Sequence, residues 1–315
     1  MAATVSSEWL NACSGCEISI LNIGDAILDL IPSKLSFVHI PALVDSKYFG
    51  PLGDGNHITL PEATVGFLSG GIRTQEHKEV AEEMRKKVKF LIAIGTCATD
   101  GGIPAQANMW PVQELTDKVY RKSVTTDSAD TPKDVVPPLL DKVMAVDEVV
   151  KVDIHMPGCP PHPDLIAEAI LALLDGKTEW KLPERSVCDT CPVVREKKAA
   201  GGADIKRTVQ NIAYTPGQPV SQMRCIMEQG ILCMGAVTLA GCAGKTGIPR
   251  CIQAYMPCEG CFGPIRKTAN PLIDMVSALS SIGQNINSLQ DRRAVLNRFC
   301  GGHGKLRPLP TPPKK

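Results

Sequence analysis

Thirteen cysteines punctuate this chain, and their placement limits the fold more than any other feature. Four of them, Cys13, Cys16, Cys97 and Cys159, fall at the ends of strand-like runs in residues 1–180. Eight more, Cys188, Cys191, Cys225, Cys233, Cys242, Cys251, Cys258 and Cys261, crowd into residues 185–265, and Cys300 stands apart. The N-terminus, MAATVSSEWL, has no basic n-region, no long apolar run and no twin arginine, so a cytoplasmic chain is expected. Disulfides are disfavoured in that compartment. The thiols are therefore expected to ligate metal or clusters.

Residues 1–180 alternate strand and helix patterns. ATVSSEWLNA reads as a first strand, and CEISILNIGDAILDLI as a helix that Pro32 ends. LSFVHIPALV, ATVGFLSGG, KFLIAIGTC and VVKVDIHMPGC read as four further strands. TQEHKEVAEEMRKKV reads as a surface helix capped by Thr74, with Glu76 in its first turn. PDLIAEAILALLDG is a second long helix stopped by Gly176. This alternation predicts an α/β fold, a parallel sheet with helices on both faces. RKSVTTDSADTPKDVVPPLLDK is polar and is expected to be a surface insertion. Beyond about residue 181 the periodicity weakens. That segment is expected to have little core of its own and to be organised by metal. The Pro-rich end, GKLRPLPTPPKK, is expected to be an extended arm.

Composition removes several functions. A formal net charge of +1 gives nucleic acid or an anionic membrane no electrostatic hold, and 4% aromatic residues are too few for a base-stacking surface. The longest apolar run, LIAEAILALL, is about half a membrane span and contains Glu168, so no transmembrane helix is expected.

In an open parallel sheet, ligands gather at the carboxyl ends of the strands. Cys13 follows the first strand, with Cys16 about one helical turn on. Cys97 and Cys159 end two other strands, so four thiols can converge on one crevice. Gly95, Gly101, Gly102 and Gly158 let backbone approach a bulky inorganic group there. Such a site suits a 4Fe-4S cluster. The eight later cysteines make two further four-ligand sites. Zinc is the competing reading, because four-cysteine ribbons also use C-x-x-C pairs. GCAGKTG has Leu239 where a phosphate loop requires glycine and is rejected as one. His39 and His155 read as core histidines. His162 is either a loop residue or a hydrogen-bond partner of the first site. Glu17 is either a helix-dipole acid or a proton relay.

CSGCE, GTCATDGGIPAQAN, MPGCPPHPD and PCEGCFGP together resemble the small subunit of NiFe hydrogenases, in order and spacing, over roughly residues 8–265. CDTC, where periplasmic members carry His-x-x-Cys, is similar to the cytoplasmic branch. CIMEQGILCMGAVTLAGC resembles the methyl-viologen-reducing type, which does not reduce the deazaflavin coenzyme. The resemblance implies a flavodoxin-like domain at 1–180 carrying a proximal cluster on Cys13, Cys16, Cys97 and Cys159. It implies a loop-rich iron–sulfur domain at 181–315 with medial and distal clusters, three clusters in all; one thiol more than the periplasmic members carry, whose medial cluster is 3Fe-4S, allows a fourth medial ligand, so all three are expected to be 4Fe-4S. Cys188 and Cys191 match the distal pair, and Cys251, Cys258 and Cys261 the medial ligands. Cys225, Cys233 and Cys242 are to be divided between the two, with Cys242 favoured as distal from its spacing to Cys251. No role is assigned to Cys300. The implied partners are a large subunit that holds the nickel–iron centre, a redox adaptor and heterodisulfide reductase. A complex-I-like quinone reductase subunit and a zinc-stabilised scaffold are the alternatives, the first opposed by the cysteines of 185–265.

Overall fold

The computed structural model describes residues 2–25, 34–41, 58–134, 136–177, 179–196, 204–206 and 212–310. Its strands are β1 (Ala3–Trp9), β2 (Leu35–His39), β3 (Ala63–Ser69), β4 (Ile72–Thr74), β5 (Val88–Ile94), β6 (Leu139–Met144) and β7 (Ile154–Met156). Five of them pair in parallel in the order β2-β1-β3-β5-β7. Counted within the sheet, that is the flavodoxin-like order, with its switch point between β1 and β3.

Both faces of the sheet are covered, which is why its strands read as continuous apolar runs. On β5, Leu91 and Ala93 face one core and Ile92 and Ile94 the other. Helix α1 (Gly15–Leu21) adds Ile20 to the core of Ile92 and Ile94. Helix α2 (Gln75–Lys87) adds Val80, Ala81 and Met84 to the opposite core. Thr74 caps α2 as expected, its hydroxyl accepting the His77 N–H at 3.1 Å. Two further helical segments matter to the site: α3 (Thr96–Asp100) after β5, and α4 (Pro163–Leu174) after β7. Leu165, Ile166 and Ala169 of α4 pack on the same face as α1.

Three expectations differ from the structure, and a fourth runs beyond the described residues. Helix α1 ends at Leu21, and Gly24 turns the chain at φ 82°; the rest of that apolar stretch lies outside the described residues. The end of the expected second strand, past residue 41, also lies outside them. The segment read as irregular insertion ends in β6, which pairs antiparallel with β4. β7 begins only at Ile154, because the Asp153 carboxylate accepts the Leu91 N–H at 2.8 Å and replaces a ladder carbonyl.

The second half has a core of its own, contrary to expectation. Val187, Ile226, Ile231, Met234, Ile252 and Leu296 bury together with Met275 and Leu279 of α5 (Pro271–Ser281). Short hydrophobic residues between the cysteines supply burial that no regular period announced. The expected arm also begins by folding back. Gly302 N–H donates to the Asp100 carbonyl at 2.8 Å, and Leu306 is buried. Residues 311–315 lie outside the described region.

Asp147 joins the two halves. Its carboxylate accepts from His155 at 3.2 Å, from His303 at 2.8 Å and from Lys267. No described helix is long and apolar enough to cross a membrane.

Candidate functional site

Cys13, Cys16, Cys97 and Cys159 meet at the carboxyl edge of the sheet, as their positions predict. Ser14, in the left-handed region at φ 65°, turns the chain from β1 into α1 and puts Cys16 in the first helical turn. Cys97 lies in α3, just past the end of β5. Gly95, at φ 85°, could not carry a side chain, since a Cβ there would run into the Cys16 sulfur. A Cβ on Gly102 would lie 2.7 Å from the Cys97 sulfur. Thr96 ties the edge together. Its hydroxyl donates to the Cys261 carbonyl at 2.6 Å and accepts the Gly158 N–H at 2.8 Å.

These four thiols influence one another. Burial, then Glu17 and the other three cysteines, pushes the Cys16 thiol far above its ordinary range. Burial, then Cys159 and Cys13, pushes Cys97 up to about 12. Cys159 is raised by burial and then by Cys13. Thiols crowded and desolvated in this way keep their protons unless a cation replaces them.

The later eight thiols divide into two sets. Cys242, Cys251, Cys258 and Cys261 line one cavity, whose far wall is Cys159 and His162. Cys188, Cys191, Cys225 and Cys233 line a second, smaller one, which Cys258 also borders. Burial raises every shifted thiol among them, Cys261 and Cys233 to about 12 and Cys188 to about 11. Cys242 thus shares the cavity of Cys251, Cys258 and Cys261, whereas spacing along the chain favours it as a distal ligand. Leu239 N–H donates to the Gly263 carbonyl at 3.0 Å and Thr238 pairs with Pro264, which folds Cys242 onto the Cys258–Cys261 loop.

Backbone amides connect the three sets in a line. The Cys159 N–H is turned to the Cys261 sulfur, and the Cys258 N–H donates to the Cys233 sulfur at 3.2 Å. One residue thus spans each gap.

Glu17 is buried beside Cys16, at the switch point of the sheet. One carboxylate oxygen accepts from the Ser69 hydroxyl, and Oε2 has no hydrogen-bond partner among the described residues. His162 caps α4, its Nδ1 accepting the Asp164 N–H at 3.0 Å, and faces the second set. His39 is buried against Glu8, and His155 belongs to the Asp147 cluster. Gly244–Thr246 forms a single exposed turn in place of a phosphate cradle. Cys300 is buried beside Asn297 and belongs to none of the three sets, although its backbone is bridged to Gly102. Sequence reasoning gave no role to Thr96, Ser69 or Arg195, which touch the site, and Ser69 and Arg195 belong to no cysteine motif. Only the position of Thr96 beside Cys97 signals a role.

All thirteen cysteines are free thiols, and twelve stand in three sets of four. A family model described as the NADH ubiquinone oxidoreductase 20 Kd subunit matches residues 13–173, the part that carries the first set. A subunit of the F420-non-reducing hydrogenase vhu of Methanocaldococcus jannaschii is 38% identical over 95% of both chains. The chain belongs to the NiFe-hydrogenase small-subunit family. The small subunit is the electron-transfer part of an oxidoreductase, and members of the family carry iron–sulfur clusters. A solved NAD+-reducing [NiFe]-hydrogenase chain is 30% identical, with a TM-score of 0.50, over 58% of this chain and 96% of that one. The NiFeSe hydrogenase of Desulfomicrobium baculatum, 17% identical, shares the fold with a TM-score of 0.51 over 90% of this chain and 99% of that chain. The small-subunit fold therefore extends beyond the residues that the family model matches.

Proposed function

We propose that this hydrogenase small subunit relays electrons through three four-cysteine sites in sequence: Cys13, Cys16, Cys97 and Cys159; then Cys242, Cys251, Cys258 and Cys261; then Cys188, Cys191, Cys225 and Cys233. The observation that carries the reading is the line of sets joined by the Cys159 and Cys258 amides. Each set offers four soft donors, and no three His, Cys, Asp or Glu side chains among the described residues close round a single-ion position. Held by these thiolates, 4Fe-4S clusters would supply one-electron redox chemistry at each set.

The chain's own residues have three tasks. The cysteines hold the three sites in order. Burial and the amides of Cys159 and Cys258 govern how each sulfur shares negative charge. Glu17, buried beside Cys16 and accepting from the Ser69 hydroxyl, is placed to relay protons beside the first set.

The first set faces the nickel–iron large subunit in this reading. Cys13 is exposed there, and Trp9, Ile18 and Ile103 are exposed apolar side chains on the strand-end side of the sheet. Likeness to the F420-non-reducing hydrogenases of methanogens supports a redox adaptor and heterodisulfide reductase as the acceptors. Thirteen free thiols support a place in the cytoplasm.

The test is anaerobic purification with metal and sulfide analysis. About twelve irons with matching acid-labile sulfide, and a nickel-containing partner that co-purifies, are expected. Zinc without sulfide would overturn the reading.

A further inference from the structure

Arg195 lies four residues past Cys191, at the wall of the cavity lined by Cys188, Cys191, Cys225 and Cys233. Its guanidinium donates to the Cys188 carbonyl and lies beside the Cys191 side chain. The backbone that carries it is fixed on one side. Val194 N–H donates to the Met223 carbonyl at 2.9 Å, and Cys225 N–H donates to the Val194 carbonyl at 2.8 Å. The loop bearing the cation is thereby stitched to the loop bearing a thiol of the same set.

The charge is constant, since guanidinium does not lose its proton in proteins. Among the described residues Arg195 forms no ion pair with a carboxylate. Asp189, the acid nearest in sequence on the cysteine side, is turned to the Ser186 N–H and hydroxyl at 2.8 and 2.9 Å. The exposed guanidinium, held at the Cys188 carbonyl, keeps its charge at the wall that the four thiols line.

We propose that Arg195 is a positioning residue that sets the redox potential of the last site in the relay, by stabilising its more negative, reduced form. The inference rests on the electron-relay reading above. One electron arrives from the preceding site and one leaves to the acceptor. No bond is made or broken and no proton is required. Removing the cation disfavours the reduced form and lowers the potential, while a lysine keeps the charge.

The experiment compares the hydrogenase containing the unmodified chain with R195Q and R195K, purified anaerobically. Iron and sulfide are assayed and the last site is followed by EPR-monitored redox titration. R195Q is expected to keep its iron and to titrate at lower potential, the reduced-to-oxidised ratio at fixed potential falling about tenfold, or about 59 mV for one electron. R195K is expected to titrate close to the unmodified protein. A normal titration in R195Q with full iron overturns the role of Arg195 and leaves the relay standing. An R195K shift as large as that of R195Q, or loss of iron in both variants, likewise overturns it. Absence of iron and sulfide from the unmodified protein overturns the relay itself.

Discussion

Gly95 shows how narrowly the first site is built. Its positive φ and the sulfur lying where a Cβ would go both exclude any other residue. Gly95→Ala is expected to lose the iron of the first set, about four of about twelve per chain, in a metal assay. Cys242 tests the allotment of thiols. Cys242→Ser is expected to change the EPR signature of the second set and leave that of the third intact. Were the third to change instead, the grouping made by the Leu239–Gly263 hydrogen bond would be wrong. Glu17→Gln keeps the size of the buried side chain and its contact with Ser69 but cannot take up a proton. It is expected to retain full iron while slowing hydrogen-dependent turnover, and unchanged turnover would remove the relay role.

At the scale of elements, legibility followed burial and capping. Helix α2 was readable because Thr74, Glu76 and the basic last turn mark both ends. Thr74→Ala is expected to cost about 1 kcal/mol and lower the melting temperature by about 2–4 °C in a thermal scan. β3 and β5 were readable because both faces are buried. β6 was not. Its side chains alternate irregularly between exposed and buried, and it pairs only with three-residue β4, so no period of two develops. β7 was overextended because a side chain, Asp153, replaces backbone in the ladder.

Across the whole molecule, Asp147 ties the sheet region to the Lys267 loop and the returning C-terminal segment. Burial pushes its carboxyl up, but hydrogen bonds from His155, His303 and Lys267 outweigh that and hold it well below the ordinary carboxylate range. A depressed native pKa contributes stability above the unfolded value, 3.8, and that stability is lost as pH falls below it. Thermal unfolding followed from about pH 6 to about pH 3 should therefore show a steep acid limb that Asp147→Asn makes shallower. An equally steep limb in the variant would place the acid sensitivity elsewhere.

The sequence alone determined the parallel α/β sheet, the convergence of Cys13, Cys16, Cys97 and Cys159, and the hydrogenase resemblance. The sheet and the convergence follow from short-range periodicity and from strand ends, which sequence displays directly, and the resemblance rests on the cysteine motifs. Tertiary structure decided the partition of the other eight thiols, the core between them and the place of Arg195. The reason is physical. Residues 185–265 have little regular repeat, so neighbours there are chosen by individual backbone hydrogen bonds, such as Leu239 to Gly263 and Cys225 to Val194, that link residues distant in sequence. Spacing along the chain carries no record of such bonds.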